Sequence, residues 1–149
     1  MALMHALRAH VCPALTAREA EHIASATVPH RIRAGDNICD EGDLTLGLVF
    51  IVEGTAEVLK DRPGTGGQLV ALVEGPVMVG EIGLLTGDLR SATVRARTDC
   101  DCHVLTRSQF ERLLENMYPG VYKLVWAIAA LLARRLAAMN VRIIALPQD

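Results

Sequence analysis

The chain has 149 residues, enough for one domain with a packed core and little left for a second. Half of the residues are hydrophobic (51%), which excludes a disordered chain, and a net charge of −2 excludes a basic, nucleic-acid-binding surface at the level of the whole molecule. Aromatics make up only 3%, so the core is built from Leu, Val, Ile and Ala.

The first segment, about 1–27, reads as helical. His5, Arg8 and His10 break up its apolar residues, so it lacks the continuous h-region of a signal peptide. Thr16 followed by Glu19 is a capping box that opens a helix through about Ala26, and Pro29 ends the helical pattern. From 28 to 106 the character changes, and short β-rich runs alternate with turn signals. The runs are Val49–Val52, Ala56–Leu59, Gln68–Leu72 and Thr93–Arg97, separated by turns such as Glu53-Gly54-Thr55, Glu74-Gly75-Pro76 and Thr86-Gly87-Asp88. This spacing predicts a mainly β, α+β fold: an antiparallel barrel or jelly roll flanked by helices.

Helices return over 107–146. Ser108 with Glu111 reads as a second capping box, and Pro119 suits the first position of a long helix. In that helix Ala129, Leu132, Leu136, Met139, Ile143 and Leu146 follow alternating steps of three and four, a heptad seam. The seam either lies on the barrel or meets a second copy in a homodimer. Lys123, Arg134, Arg135, Asn140 and Arg142 interrupt the same stretch, leaving only Leu124–Ala133 uncharged, so no membrane span is expected. Cys12, Cys39, Cys100 and Cys102 show no C-x-x-C spacing, which suits a cytoplasmic chain. In an extended strand Cys100 and Cys102 share one face while His103 points to the other, so no metal site is expected there. No serine or cysteine has the context of an activated nucleophile, and no catalytic activity is expected.

One stretch, Val79–Thr93, carries chemistry. It sets the carboxylate of Glu81 and the guanidinium of Arg90 nine residues apart, across a short apolar turn. Gly80 and Gly83 let backbone approach a ligand and aim amides at an anion. Arg90 offers a planar fork of donors for phosphate oxygens, and Ser91 adds a hydroxyl and an amide. Glu81 only accepts, which suits a sugar hydroxyl beside a phosphate. The residues alone fit a sugar-phosphate pocket, or a surface ion pair on a barrel hairpin.

This segment resembles the phosphate-binding cassette of the cyclic nucleotide-binding domain family. Gly80, Glu81, Ile82, Leu84, Leu85, Arg90, Ser91, Ala92 and Thr93 match its pattern, while Val79 and Leu89 depart from the usual phenylalanine and proline. Two further stretches resemble the family's first hairpin (Arg33–Asp43) and its aromatic-x-Ile-x-x-Gly strand pair (Val49–Val58). The likeness extends to the sensor domains of bacterial catabolite activator proteins and cyclic nucleotide-gated channels.

The resemblance implies a ligand, cyclic AMP or cyclic GMP, and no cofactor. It implies that Glu81 binds the ribose 2′-hydroxyl. Arg90 neutralises the cyclic phosphate, helped by Ser91 and the amides of Gly83 and Ala92. Ile82, Leu84 and Thr93 complete the cassette. Aligning Ala133–Leu136 with the similar run in the activator proteins places Arg135 on the ligand side and Met139 and Asn140 over the base. Asn140 either bonds the base edge or sets register in a coiled-coil seam. Ser91 in place of alanine leaves the choice between the two nucleotides open.

The expected function is that of a sensor that signals by moving its carboxy-terminal helix, with a downstream protein as partner and no direct DNA binding, since the chain stops at Asp149 soon after that helix. The alternatives are a ligand-free oligomerisation or scaffold module, and a sensor domain excised from a larger transcription factor or channel. A start at Met1 leans against an internal fragment.

Overall fold

Leu3, Ala6 and Leu7 are buried at helical spacing, and the chain opens with α1 (Ala2–Ala6) running into a π-helical turn (Leu7–Val11). Thr16 then caps α2 (Ala17–Ser25). Its hydroxyl accepts the Glu19 amide at 3.1 Å, and the Glu19 carboxylate accepts the Thr16 amide at 2.8 Å, the reciprocal pair expected of a capping box. The computed structural model describes residues 2–42, 47–64, 67–87 and 92–144, with the side chains of 82 and 139–144 outside the description.

The strands are β1 (Val28–Ile32), β2 (Asn37–Cys39), β3 (Gly47–Glu53), β4 (Thr55–Lys60), β5 (Gln68–Glu74) and β6 (Val77–Val79), then β7 (Thr93–Ala96) and β8 (Cys100–Thr106). A six-residue helix, α3 (Glu81–Thr86), stands between β6 and β7 where the sequence suggested only a turn. The strands form two antiparallel sheets, ordered β1-β8-β3-β6 and β2-β7-β4-β5. This is the mainly β jelly-roll architecture that the spacing predicted.

Strand β3 explains how the layers stack. Leu48, Val49, Phe50 and Ile51 are all buried, an unbroken apolar run that a strand carries when both of its faces are covered. Val49 and Ile51 join Ala56, Val79, Val94, Ala96, Cys100 and Cys102 in the space between the sheets. Leu48 and Phe50 point the other way and pack with Met78, Leu84, Leu105 and the helices. The β-roll therefore has a small-residue interior and a second core under the helices, joined through one sheet.

After β8 the chain turns directly into α4 (Arg107–Glu115), followed by α5 (Pro119–Ile144), which starts at proline as expected. The cap of α4 is a correction. Thr106, not Ser108, accepts the Gln109 amide, at 3.2 Å, because β8 remains paired with β3 through Thr106 and leaves no room for a later start. Along α5, Val121, Leu124 and Ile128 are fully buried, and Val125, Leu131 and Leu132 pack partly against the same core. The heptad seam is thus split. Leu132 turns toward the core, whereas Ala129 and Leu136 face outward, and the side chains of Met139 and Ile143 lie outside the described residues, as does Leu146.

The outward stripe continues through exposed Tyr118, Tyr122 and Trp126. Lys123 reaches back to Glu19 at 2.8 Å and ties α5 to α2. The two helices touch closely, since a Cβ at Gly120 would lie 3.0 Å from that of Glu19. No helix among the described residues is long and apolar enough to cross a membrane.

Candidate functional site

Strand β6 leads into Gly80, whose φ of 87° places it in the left-handed region, and the chain turns there into α3. Leu84 anchors this helix by burying itself beside Phe50 and Leu105, and the Leu84 amide donates to the Gly80 carbonyl at 3.1 Å. Glu81 is the first residue of α3. The residue is 5% exposed, and among the described residues it is the one buried charged group.

A buried carboxylate without a partner is costly, so its hydrogen bond is informative. Arg135, two turns beyond Ile128, the last fully buried residue of α5, donates from Nη1 to Glu81 Oε1. The arginine is half exposed and the carboxylate 6% exposed, so the ion pair joins solvent to the cassette through the long helix. Leu124, Ile128, Leu131 and Arg135 recur every three or four residues, so the periodicity that buries the helix also carries Arg135 onto the cassette. The sequence reading included both residues but missed their pairing, and this stripe was the available signal.

The other expected residues divide into three groups. Gly80, Glu81, Gly83, Leu84 and Arg135 come together around α3, with the Gly83 carbonyl accepting the Gly87 amide at 2.8 Å. Ala92 is half-buried just before β7. Thr93 does not turn inward. Val94 and Ala96 occupy the interior, and alternation sends Thr93 and Arg95 to the outer face of the sheet. The Thr93 hydroxyl accepts the Glu41 amide at 2.9 Å there, lining an outer groove of about 370 Å³ with Asn37, Lys60 and Arg95. Arg90 and Ser91 lie outside the described residues, as do the side chains of Ile82, Met139 and Asn140, while the backbone of the last two belongs to α5.

The thiols do not offer a competing chemistry. Cys100 and Cys102 point into the interior while His103, on the opposite side, sets Nδ1 3.4 Å from the Thr27 hydroxyl. Burial pushes the Cys102 thiol up to about 12 and raises Cys12 and Cys100 as well, so these sulfurs hold their protons. Among the described residues no three His, Cys, Asp or Glu side chains gather as metal ligands would.

Known proteins agree with this architecture. The model of the cyclic nucleotide-binding domain matches residues 29–117. The cAMP-activated global transcriptional regulator CRP of Escherichia coli O6:H1 is 30% identical over 116 residues, which cover 76% of this chain and 53% of the regulator. The potassium voltage-gated channel unc-103 of Caenorhabditis elegans is 35% identical over 88 residues, covering 57% of this chain and 10% of the channel. The chain thus spans about half of the regulator and a small part of the channel. Among solved structures, a cyclic nucleotide-binding domain from Methylobacillus flagellatus KT superimposes with a TM-score of 0.77 at 28% identity, over 90% of this chain and 76% of that one. The family model spans more than half of the chain, and the fold superimposes on a solved domain of the same kind: the chain belongs to the cyclic nucleotide-binding domain family.

Proposed function

We propose that this chain binds a cyclic nucleotide, cyclic AMP or cyclic GMP, and passes its occupancy to α5. The observation that carries the reading is the buried Glu81 carboxylate at the head of α3, held by Arg135 from α5. An ionised carboxylate only accepts, so a ribose hydroxyl entering beside it donates and competes with, or joins, Arg135. Ligand and helix then share one acceptor. A nucleotide that binds differently to the two positions of α5 shifts their populations by that difference. Arg90 and Ser91 supply the phosphate contacts in this reading, on the strength of their match to the family motif. The regulator's name describes it as cAMP-activated, which makes cyclic AMP the first ligand to test. The role is regulatory, with no catalytic step. The cytoplasm is the compartment that suits four cysteines with no disulfide between them.

The test is a titration of cyclic AMP and cyclic GMP against thermal stability. A saturable rise with one of them identifies the ligand, and no shift at millimolar concentrations of either rejects the reading in favour of a scaffold module. In the responsive case Arg90→Ala weakens binding at least about thirtyfold, as the loss of a charged partner to the phosphate would. Unchanged affinity by calorimetry rejects its phosphate role.

A second copy of the chain is the partner we propose for α5. Tyr118, Tyr122, Trp126, Ala129, Ala133 and Leu136 are exposed and spaced by fours and threes, so they form an apolar stripe on the side of the helix away from Glu81. Small residues in its middle permit close approach of another helix, and the downstream protein would read the arrangement of the pair.

A further inference from the structure

Helix α3 ends at Gly87, whose φ of 75° lies in the left-handed region and whose amide closes the last turn onto Gly83. The space where a side chain would stand on this residue is already filled. A Cβ at Gly87 would lie 2.9 Å from both Cζ and Nη2 of Arg107, with Nη1 nearer still. Arg107 is the first residue of α4, and its Nε is 3.3 Å from Glu111 Oε1 one turn later. One arginine therefore sits against the end of the cassette helix while its own helix holds it from behind.

We propose that Arg107 is a positioning residue of the nucleotide site: it clamps the turn after α3 to the start of α4. The inference rests on the nucleotide-binding reading and deepens it, by adding a second tie between the cassette and the helices. The two ties differ in kind. Arg135 bonds the carboxylate at the head of α3, whereas Arg107 presses on the glycine at its tail. A short helix held at both ends by separate helices, α5 at its head and α4 at its tail, keeps its orientation only while both hold it. Gly87 immediately precedes the segment that ends in Arg90, so release of the tail changes where the phosphate-side residues begin.

The two residues make a closed test. Amide exchange over 80–87 in the nucleotide-free protein reads the clamp without any ligand, and calorimetry with the responsive nucleotide reads its effect on the site. Arg107→Met, which keeps the aliphatic bulk, is expected to speed exchange at the Leu84 and Gly87 amides, which bond to the Gly80 and Gly83 carbonyls, about tenfold and to weaken nucleotide binding about tenfold. Arg107→Lys restores part of both if the cation is what holds the turn, and Glu111→Gln gives a smaller change in the same direction. The thermal midpoint of Arg107→Met is expected to stay close to that of the unaltered protein, since the arginine is partly exposed. Exchange at those amides that is unchanged in Arg107→Met overturns the clamp, whatever the protein binds. Faster exchange with unchanged affinity overturns its role in the nucleotide site. Faster exchange in a protein that binds neither nucleotide rejects the functional reading alone and leaves the clamp standing as a structural contact.

Discussion

Glu81 and Arg135 divide the burden of one ion pair unequally. The carboxylate is almost wholly buried and the guanidinium half in water, so removing the arginine strands a buried charge while removing the carboxylate leaves an arginine that water can serve. Arg135→Met is expected to lower stability by about 1–2 kcal/mol, less than a fully buried pair would lose because solvent reaches this one. Adding Glu81→Gln to that variant recovers part of the loss, and a double-mutant cycle on denaturation midpoints measures the recovery. His103 gives a residue-scale prediction with pH as its variable. Burial holds its ring below the usual histidine value, with Asp101 opposing. The unfolded chain therefore takes up this proton before the folded one, and the stability contributed by the neutral ring is lost as pH falls below about 6.5. The thermal midpoint of His103→Gln is expected to fall less than that of the unaltered protein between pH 7 and 5.5. Equal slopes would remove His103 from the account.

Contacts between elements explain why some of them were visible in the chain and others were not. The tie between α2 and α5 runs through Glu19, which accepts from Lys123 at 2.8 Å and from the Thr16 amide, and these bonds hold its carboxyl down to about 2. A lowered carboxyl contributes stability above its unfolded value, near 4.5, and gives it up as pH falls toward 2. The difference in midpoint between the unaltered protein and Glu19→Gln is therefore expected to be steady above about pH 5 and to vanish near pH 2 in an acid melting series. The Thr16 box was legible because both of its partners are local. The cap of α4 was not, since Thr106-x-x-Gln109 and Ser108-x-x-Glu111 are equal candidates in sequence and only the pairing of β8 with β3 chooses between them. Helix α3 was hidden for a related reason. Gly80 and Gly87 bracket it so tightly that the segment reads as a turn, and the burial of Leu84 makes it helical. The composition of the cassette was readable, whereas the reach of Arg135 depends on how α5 lies across the roll. Alternation along β7 was readable too, and it sends Thr93 outward where the family motif had placed it with the ligand.

At the scale of the whole molecule, two cores share β3, one inside the roll and one beneath the helices. The inner one is lined by small and medium side chains and holds Val79, where the cassette segment begins, and the outer one holds Leu84 of α3 and fixes α5. A change at the cassette reaches the helix layer by Leu84, which belongs to the outer core, and by Glu81, which bonds α5. The exposed stripe of α5 makes the assembly a testable part of this arrangement. Leu136→Glu places a charge at its carboxy-terminal end and is expected to convert a dimer to a monomer in light scattering, without loss of the fold, because Leu136 makes no part of the core. A monomeric unaltered protein would remove the stripe from the signalling scheme.

Trp126 adds a consequence of its own. It is the only tryptophan in the chain, it is 78% exposed, and it stands on α5, the helix that Arg135 ties to the cassette. An indole in water emits at longer wavelength and is quenched freely by iodide or acrylamide, and anything that covers it shifts the emission to the blue and slows the quenching. The protein thus carries its own optical probe at the place where its output is presented, and unlabelled material is enough to watch that surface change.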